Sequence, residues 1–122
     1  MSERTGFRIL VVEDEMLLVM MIEDMLLELG CDAVIVASRT EQALKLIESE
    51  RFDAALLDVN LHGEKSDCVA DALLAQGIPF IFCTGGSLVD LAPKFRGRPV
   101  LRKPFSYDEL SEMVAQLELA PH

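Results

Sequence analysis

The sequence contains no apolar run long enough to cross a bilayer. A membrane-spanning helix needs about 20 mainly apolar residues in succession, whereas the longest apolar run, residues 16–22, ends at the acidic pair Glu23-Asp24. Residues 1–5 also lack the apolar core of a secretory signal peptide. We therefore predict no membrane partner and a cytoplasmic location.

Basic residues are scarce. The chain has 11 Lys and Arg residues against 21 Asp and Glu residues, which leaves a formal net charge of −10 at pH 7. Nucleic-acid binding requires a basic surface that neutralises phosphates, so we predict no nucleic-acid partner. Solubility accounts for most of this acidic charge. The sharper alternative is that part of the negative charge is concentrated at a cation site.

Cysteine is also scarce. Cys31, Cys68 and Cys83 are odd in number and too dispersed for a zinc-binding pattern, so we predict three reduced thiols. Linkers, internal repeats and low-complexity segments are absent as well. At 122 residues with 51% apolar content, the chain suits one domain, residues 1–122 with a core at about 6–118, that can bury a hydrophobic core.

Strand and helix patterns alternate five times along the chain. We predict strands at residues 7–12, 33–37, 53–57, 80–83 and 99–101. Helices are predicted at residues 16–29, from 38 onward, at 66–76, at 88–95 and from 106 onward. Two Ser-x-x-Glu sequences, Ser38/Glu41 and Ser106/Glu109, indicate capping boxes at the second and last helices.

The strand patterns are short, unbroken apolar runs, which are typical of parallel strands buried on both faces. The alternation of strands and helices predicts an α/β fold with helices on both faces of the sheet. We expect a flavodoxin-like, doubly wound five-stranded parallel sheet in the order 2-1-3-4-5. Its switch point between the first and third strands would place a ligand crevice there.

Polar residues follow four of the predicted strands. Glu13-Asp14 comes after the first strand, Asp58 after the third, Thr84 after the fourth and Lys103 after the fifth. The carboxyl ends of parallel strands share one edge of the sheet, and neighbouring strands lie about 4.8 Å apart. We therefore expect these side chains to be close neighbours.

Crowded carboxylates repel one another unless a cation compensates them. Mg²⁺ prefers carboxylate and carbonyl oxygens, so we predict a Mg²⁺ site, in which Mn²⁺ could substitute. Its ligands would be the side chains of Glu13, Asp14 and Asp58 with the backbone carbonyl of Asn60. A carboxylate beside Mg²⁺ can also attack a phosphoryl group, whose oxygens Lys103 and Thr84 can contact.

This set of residues resembles the receiver domain of two-component response regulators, which are CheY-like proteins, over about residues 6–118. The signs that carry the resemblance are Glu13-Asp14, Asp58, Thr84 and Lys103-Pro104-Phe105. The resemblance implies that Asp58 accepts a phosphoryl group from a sensor histidine kinase or histidine phosphotransferase. It also implies Mg²⁺ on Glu13, Asp14 and Asp58, and a cis peptide bond before Pro104.

One family feature is missing. The family usually has an aromatic residue on the fifth strand, three positions before the lysine, whereas this chain has the stiff, apolar Val100. Residues 79–86 are instead similar to a subgroup of single-domain receivers whose fourth strand ends in Phe-x-Thr-Gly. We hypothesise that motion of the loop at Gly85-Gly86 replaces the swing of the aromatic ring.

The leading hypothesis is a stand-alone receiver that signals by protein contact or by phosphorelay, as a monomer or a phosphorylation-linked dimer. It would not be an enzyme beyond self-catalysed phosphorylation of Asp58 and autodephosphorylation. One alternative is a Mg²⁺-dependent phosphatase of haloacid-dehalogenase type, although Asn60 stands where its second aspartate is needed. The other alternative is a receiver-like interaction module that is never phosphorylated.

Two further predictions concern side chains outside the cluster. The methionines of the first helix are expected to fill core space; they are Met16, Met20, Met21 and Met25. Leu17 or Met21 could instead face a partner, since this helix is apolar on more than one side. His62 is expected to be an exposed loop residue.

Overall fold

The computed structural model of the protein describes residues 4–61, 63–85, 92–95 and 97–119. The strands are β1 (Arg4–Val12), β2 (Cys31–Ala37), β3 (Ala54–Asp58), β4 (Asn60–Leu61), β5 (Glu64–Lys65), β6 (Phe80–Thr84) and β7 (Val100–Arg102). The α-helices are α1 (Met16–Glu28), α2 (Thr40–Ser49), α3 (Asp67–Ala75) and α4 (Tyr107–Leu119).

Five of these strands form one parallel sheet in the order β2-β1-β3-β6-β7. When the strands of this sheet alone are numbered along the chain, the order is 2-1-3-4-5, so the predicted topology is confirmed. The strand order reverses between β1 and β3, and their carboxyl ends therefore border a crevice. The remaining strands, β4 and β5, pair antiparallel as a small hairpin after β3, which the sequence analysis did not predict.

Each face of the sheet packs against its own hydrophobic core. Alternate residues of β1 contribute to the two cores, with Leu10 and Val12 on one side and Ile9 and Val11 on the other. Buried residues of α2 and α3 complete the first core, and buried residues of α1 and α4 complete the second. This burial on both faces explains why the strands read as continuous apolar runs.

The helix predicted at residues 88–95 can be compared with the structure only in part. Residues 88–91 lie outside the described residues, and Pro93–Phe95 forms a turn of 3₁₀ helix rather than α-helix. Phe95, the last residue of this turn, is buried, and its ring centroid lies 5.5 Å from that of Phe82. Val100, which pairs with Phe82 across the sheet, packs against the same core.

The two predicted capping boxes have different outcomes. At α4 the box is confirmed, because the Glu109 amide donates to the Ser106 hydroxyl at 3.1 Å and the Ser106 amide donates to the Glu109 carboxylate at 2.9 Å. At α2 the prediction was wrong. The helix begins at Thr40, and extended backbone at Arg39 makes that residue the N-cap with no side-chain cap. The Ser38 amide instead donates to the side-chain oxygen of Gln42.

The prediction that the α1 methionines fill the core was wrong for three of the four. Met16, Met20 and Met21 are each at least half exposed, and Leu17 is 78% exposed. The reason is that Val19, Ile22 and Leu26 already form the buried stripe at helical spacing. Met25 alone of the four packs against the core between α1 and α4.

Two smaller predictions also have outcomes. The three cysteines are free thiols, with Cys31 and Cys83 buried and Cys68 exposed. Within the part of the chain that the structure describes, none of the helices has the length and apolar content needed to span a membrane.

The contrast between the two Ser-x-x-Glu sequences gives a stability prediction. Ser106→Ala removes a formed N-cap and should lower the free energy of unfolding by about 1 kcal/mol. Ser38→Ala removes a side chain that caps no helix and should change it by less than about 0.5 kcal/mol. Urea denaturation followed by circular dichroism measures both values, and equal losses in the two variants would contradict the assignment of the caps.

Candidate functional site

Three carboxylates meet where β1 and β3 end. Glu13 and Asp14 directly follow β1, and Asp58 is the last residue of β3. Each contributes one oxygen to a group in which all the oxygens lie within 4.8 Å of one another. The pairing of Val12 with Leu57 in the parallel register puts these positions side by side. The structure therefore brings together the three carboxylates that the sequence indicated.

Glu13 is the most deeply buried of the three. Its side chain is only 2% exposed, and one carboxylate oxygen accepts the amide N–H groups of Asp14 and Glu15, each at 3.1 Å. The other oxygen lies 2.8 Å from Nζ of Lys103. Backbone and side-chain donors therefore hold both oxygens of this carboxylate in place.

Lys103 directly follows the edge strand β7 and brings a positive charge among the three carboxylates. Its amide N–H donates to the Thr84 carbonyl at 2.9 Å, which continues the β6–β7 pairing by one residue. Its Nζ lies 3.2 Å from Oδ2 of Asp58 and 4.0 Å from Oε1 of Glu15, in addition to its contact with Glu13. The peptide bond between Lys103 and Pro104 is cis, as the family resemblance implied.

These contacts shift the protonation equilibria of the site. Burial raises the pKa of Glu13 to about 7, with a further upward contribution from the Asp58 charge and opposition from Lys103. Burial alone would lower the pKa of Lys103, but its hydrogen bond to Glu13 and the charge of Asp58 outweigh this and raise it. Burial raises the pKa of the Cys83 thiol to about 12. Lys103 is therefore an ammonium ion and Cys83 a protonated thiol at neutral pH.

Thr84 and Asn60 differ in how deeply they are buried in the site. Thr84 is buried at the carboxyl end of β6, one residue beyond Cys83, which pairs with Asp58 across the sheet. Asn60 is exposed, and its backbone N–H donates to Oδ1 of Asp58 at 3.4 Å. A metal-ligand role for the Asn60 carbonyl stays a prediction. Gly86 of the predicted loop hinge and His62 lie outside the described residues.

The donor set fits a hard divalent cation. Three carboxylates converge on one another, and a single ammonium group balances only one of their negative charges. Carboxylate oxygens of this kind, together with retained waters, are what Mg²⁺ prefers. Glu13, Asp14 and Asp58 are the residues that would hold the ion.

Two residues at the site were not predicted from the sequence. Glu15 is exposed at the rim, within 4.0 Å of the Lys103 ammonium. The buried hydroxyl of Ser66 donates to the backbone carbonyl of Asp58. The acidic run Glu13-Asp14-Glu15 could have indicated Glu15. Ser66 was predicted only as the first residue of a helix.

An apolar groove borders Lys103. It has a volume of about 440 Å³ and lies between α1 and the segment that follows β7. Leu17 and Met21 line it on one side, and Pro104 and Phe105 line it on the other. Exposed apolar residues of α1 and Lys103 of the site therefore line the same groove.

A buried aspartate at the end of the third sheet strand, with two acidic neighbours and a lysine after a parallel edge strand, defines a class of protein. The model of the response regulator receiver domain family matches residues 9–115. The chain belongs to this family.

Several relatives show how broad the similarity is. The solution structure of SdrG from Sphingomonas melonis Fr1 is 48% identical, covers 91% of this chain and 95% of its own, and has a TM-score of 0.81. A BeF₃-activated conformation of SdrG is 47% identical, covers 98% of this chain and all of its own, and has a TM-score of 0.80.

Two more distant relatives add to this comparison. The receiver domain of the Pseudomonas aeruginosa sensor histidine kinase PA1611, solved with magnesium in its active-site cleft, is 27% identical, with 94% and 99% coverage and a TM-score of 0.79. The transcriptional regulatory protein PdtaR of Mycobacterium tuberculosis is 31% identical over 93% of this chain. The chain spans only 56% of the length of PdtaR.

The raised pKa of Glu13 predicts a pH-dependent stability. In the folded protein this pKa is about 7, against an ordinary value of 4.5. A raised folded-state pKa stabilises the fold fully below the unfolded value, and this contribution is lost as the pH rises through about 7. Without divalent cations, the free energy of unfolding of the parent should therefore fall by about 2 kcal/mol relative to that of Glu13→Gln between about pH 5 and about pH 8.

Urea denaturation in the presence of a chelator, repeated across this pH range, measures the effect. Glu112→Gln, at an exposed position on α4, is the matched control and should follow the parent. A constant difference in unfolding free energy between the parent and Glu13→Gln at every pH would show that Glu13 does not titrate in this range.

Proposed function

We propose that this receiver domain accepts a phosphoryl group on Asp58 in a Mg²⁺-dependent reaction. The observation that carries the proposal is the position of the Asp58 carboxylate. One of its oxygens lies within 4.8 Å of oxygens of Glu13 and Asp14, and Oδ2 lies 3.2 Å from the Lys103 ammonium. A nucleophilic carboxylate in phosphoryl transfer needs a cation site and a charged partner for the phosphoryl oxygens at these places.

The proposed reaction is a substitution at phosphorus. An oxygen of the Asp58 carboxylate attacks the phosphorus of a phosphohistidine, the new O–P bond forms, and the N–P bond breaks with its electron pair left on the imidazole nitrogen. Lys103, which carries three N–H donors, pairs with one phosphoryl oxygen, and the Thr84 hydroxyl donates to another. Bound Mg²⁺, or Mn²⁺ in its place, would supply charge neutralisation for the phosphoryl oxygens.

The comparisons support this proposal at the level of the family. SdrG, the 47%-identical relative, adopts an activated conformation with BeF₃, a group that resembles phosphoryl in shape and charge. PA1611 coordinates magnesium in its active-site cleft. The Phe-x-Thr-Gly sequence at residues 82–85 supports placing the chain in the proposed subgroup of single-domain receivers. The match over residues 9–115 supports one receiver domain with a core at about residues 6–118.

The phosphoryl donor is proposed to be a sensor histidine kinase or a histidine phosphotransferase, and the signal leaves by protein contact or phosphorelay. A general phosphatase of haloacid-dehalogenase type is disfavoured, because its chemistry needs a second carboxylate two residues after the nucleophile. Asn60 provides an amide there, and it is exposed. A module that is never phosphorylated would have no need for the charged groups gathered around Asp58.

Labelling with acetyl phosphate tests the assignment of Asp58. With Mg²⁺ present, the parent should gain the mass of one phosphoryl group per chain, and Asp58→Asn should gain none, because an amide is not a nucleophile of this kind. Asp53→Asn changes the same residue type directly before β3 and should be labelled like the parent. Intact-mass spectrometry with and without a chelator measures all three proteins.

An unlabelled parent would contradict the proposal, and so would two further results. One is equal labelling of Asp58→Asn and the parent, which would place the phosphoryl group elsewhere. The other is continuous turnover of phosphate esters by the parent, which would favour the phosphatase.

A further inference from the structure

Ser66 is a fully buried polar residue whose hydroxyl group faces the end of β3. Its exposure is 0%. Its Oγ lies 2.5 Å from the carbonyl oxygen of Asp58 and 3.1 Å from that of Val59. A serine hydroxyl has one proton to donate, and the shorter distance assigns it to Asp58. The Ser66 amide N–H serves the Val59 carbonyl separately, at 3.1 Å.

Helix capping does not account for a serine at this position. Ser66 is the N-cap residue of α3, where a serine hydroxyl normally accepts an amide N–H of the first helical turn. Among the residues that the structure describes, the Ser66 side chain makes no such bond. At α4, by contrast, the Ser106 hydroxyl does accept the Glu109 amide. The Ser66 hydroxyl is directed away from its own helix and towards Asp58.

The hydrogen bond closes the segment that follows the phosphoacceptor. Beyond Asp58 the chain leaves the sheet after one last bond, from the Val59 amide to the Cys83 carbonyl at 3.2 Å. It then forms the β4–β5 hairpin and returns at Ser66. The Ser66 hydroxyl therefore connects the end of this segment to its start at Asp58. Without the hydroxyl, the buried Asp58 carbonyl would lose this donor.

The orientation of the Asp58 peptide decides where its carboxylate lies. An aspartate side chain has only one methylene group between backbone and carboxylate, so a rotation of the backbone is passed directly to the oxygens. Those oxygens must stay near the Glu13 and Asp14 carboxylates and the Lys103 ammonium at the same time. Small displacements of a reacting atom have large effects on rate.

We infer that Ser66 is a positioning residue for phosphoryl transfer, whose hydroxyl holds the Asp58 backbone so that the carboxylate faces the incoming phosphorus. The inference rests on the proposed function of Asp58. Ser66 contacts the backbone of Asp58 and none of the reacting atoms, so its removal affects the rate at saturating donor rather than the donor concentration required.

The test compares Ser66→Ala with Ser66→Thr, which keeps the hydroxyl, and with Ser106→Ala, which removes the serine N-cap of α4. The first measurement needs no phosphorylation. The ¹³C shift of the Asp58 carbonyl, which reports hydrogen bonding at its oxygen, should move in Ser66→Ala and stay at the parental value in Ser106→Ala. The second measurement is the labelling rate constant against acetyl phosphate concentration, at a temperature where circular dichroism shows every variant folded.

In Ser66→Ala the rate constant at saturating acetyl phosphate should fall on the order of 10-fold, with the half-saturating concentration unchanged. Ser66→Thr should recover most of the rate, and Ser106→Ala should match the parent. A parental rate constant in folded Ser66→Ala would overturn the inference and leave Ser66 a purely structural residue. An unlabelled parent would instead refute the proposed function, and the carbonyl shift would then decide alone whether Ser66 holds the Asp58 backbone.

Discussion

The site depends on one ammonium group placed among buried carboxylates. Lys103 lies 2.8 Å from Glu13 and 3.2 Å from Asp58, and without a cation these acids would repel one another or take up protons. Removing one partner of such a buried pair leaves an uncompensated charge, which is strongly destabilising. Lys103 therefore makes the acidic group compatible with the fold. The same charge is also available to a phosphoryl group.

The parallel sheet makes this arrangement possible. Strands that run in the same direction present their carboxyl ends at one edge, so residues from β1, β3, β6 and β7 meet although they are far apart in the chain. The two cores on either face bury these strands and fix their ends. The buried strands thus set the distances at the site, and backbone beyond the strand ends adds further contacts, such as the Ser66 hydroxyl on the Asp58 carbonyl.

Two structural features border the site, a groove at Lys103 and the segment that returns to Ser66. The groove between α1 and the segment after β7 is lined by exposed apolar residues, Leu17 and Met21, and by Lys103. From the other side, the β4–β5 hairpin returns the chain to Ser66, which contacts Asp58 through the backbone. Lys103 is thus shared by the carboxylate cluster and the groove, while Asp58 is also held through its backbone.

The sequence by itself determined the fold class, the strand order and the residues that gather at the sheet edge. These follow from the alternation of unbroken apolar strands with helices and from the shared direction of parallel strands. Tertiary structure decided which atoms pair. The closeness of Lys103 to Glu13, the diversion of the Ser66 hydroxyl to Asp58 and the failure of the Ser38 cap all depend on side-chain and backbone positions. The exposure of Met16 and Met20 likewise depends on how much of α1 the sheet can cover. Local patterns report which face of an element is apolar; distances between elements arise only when the whole chain packs.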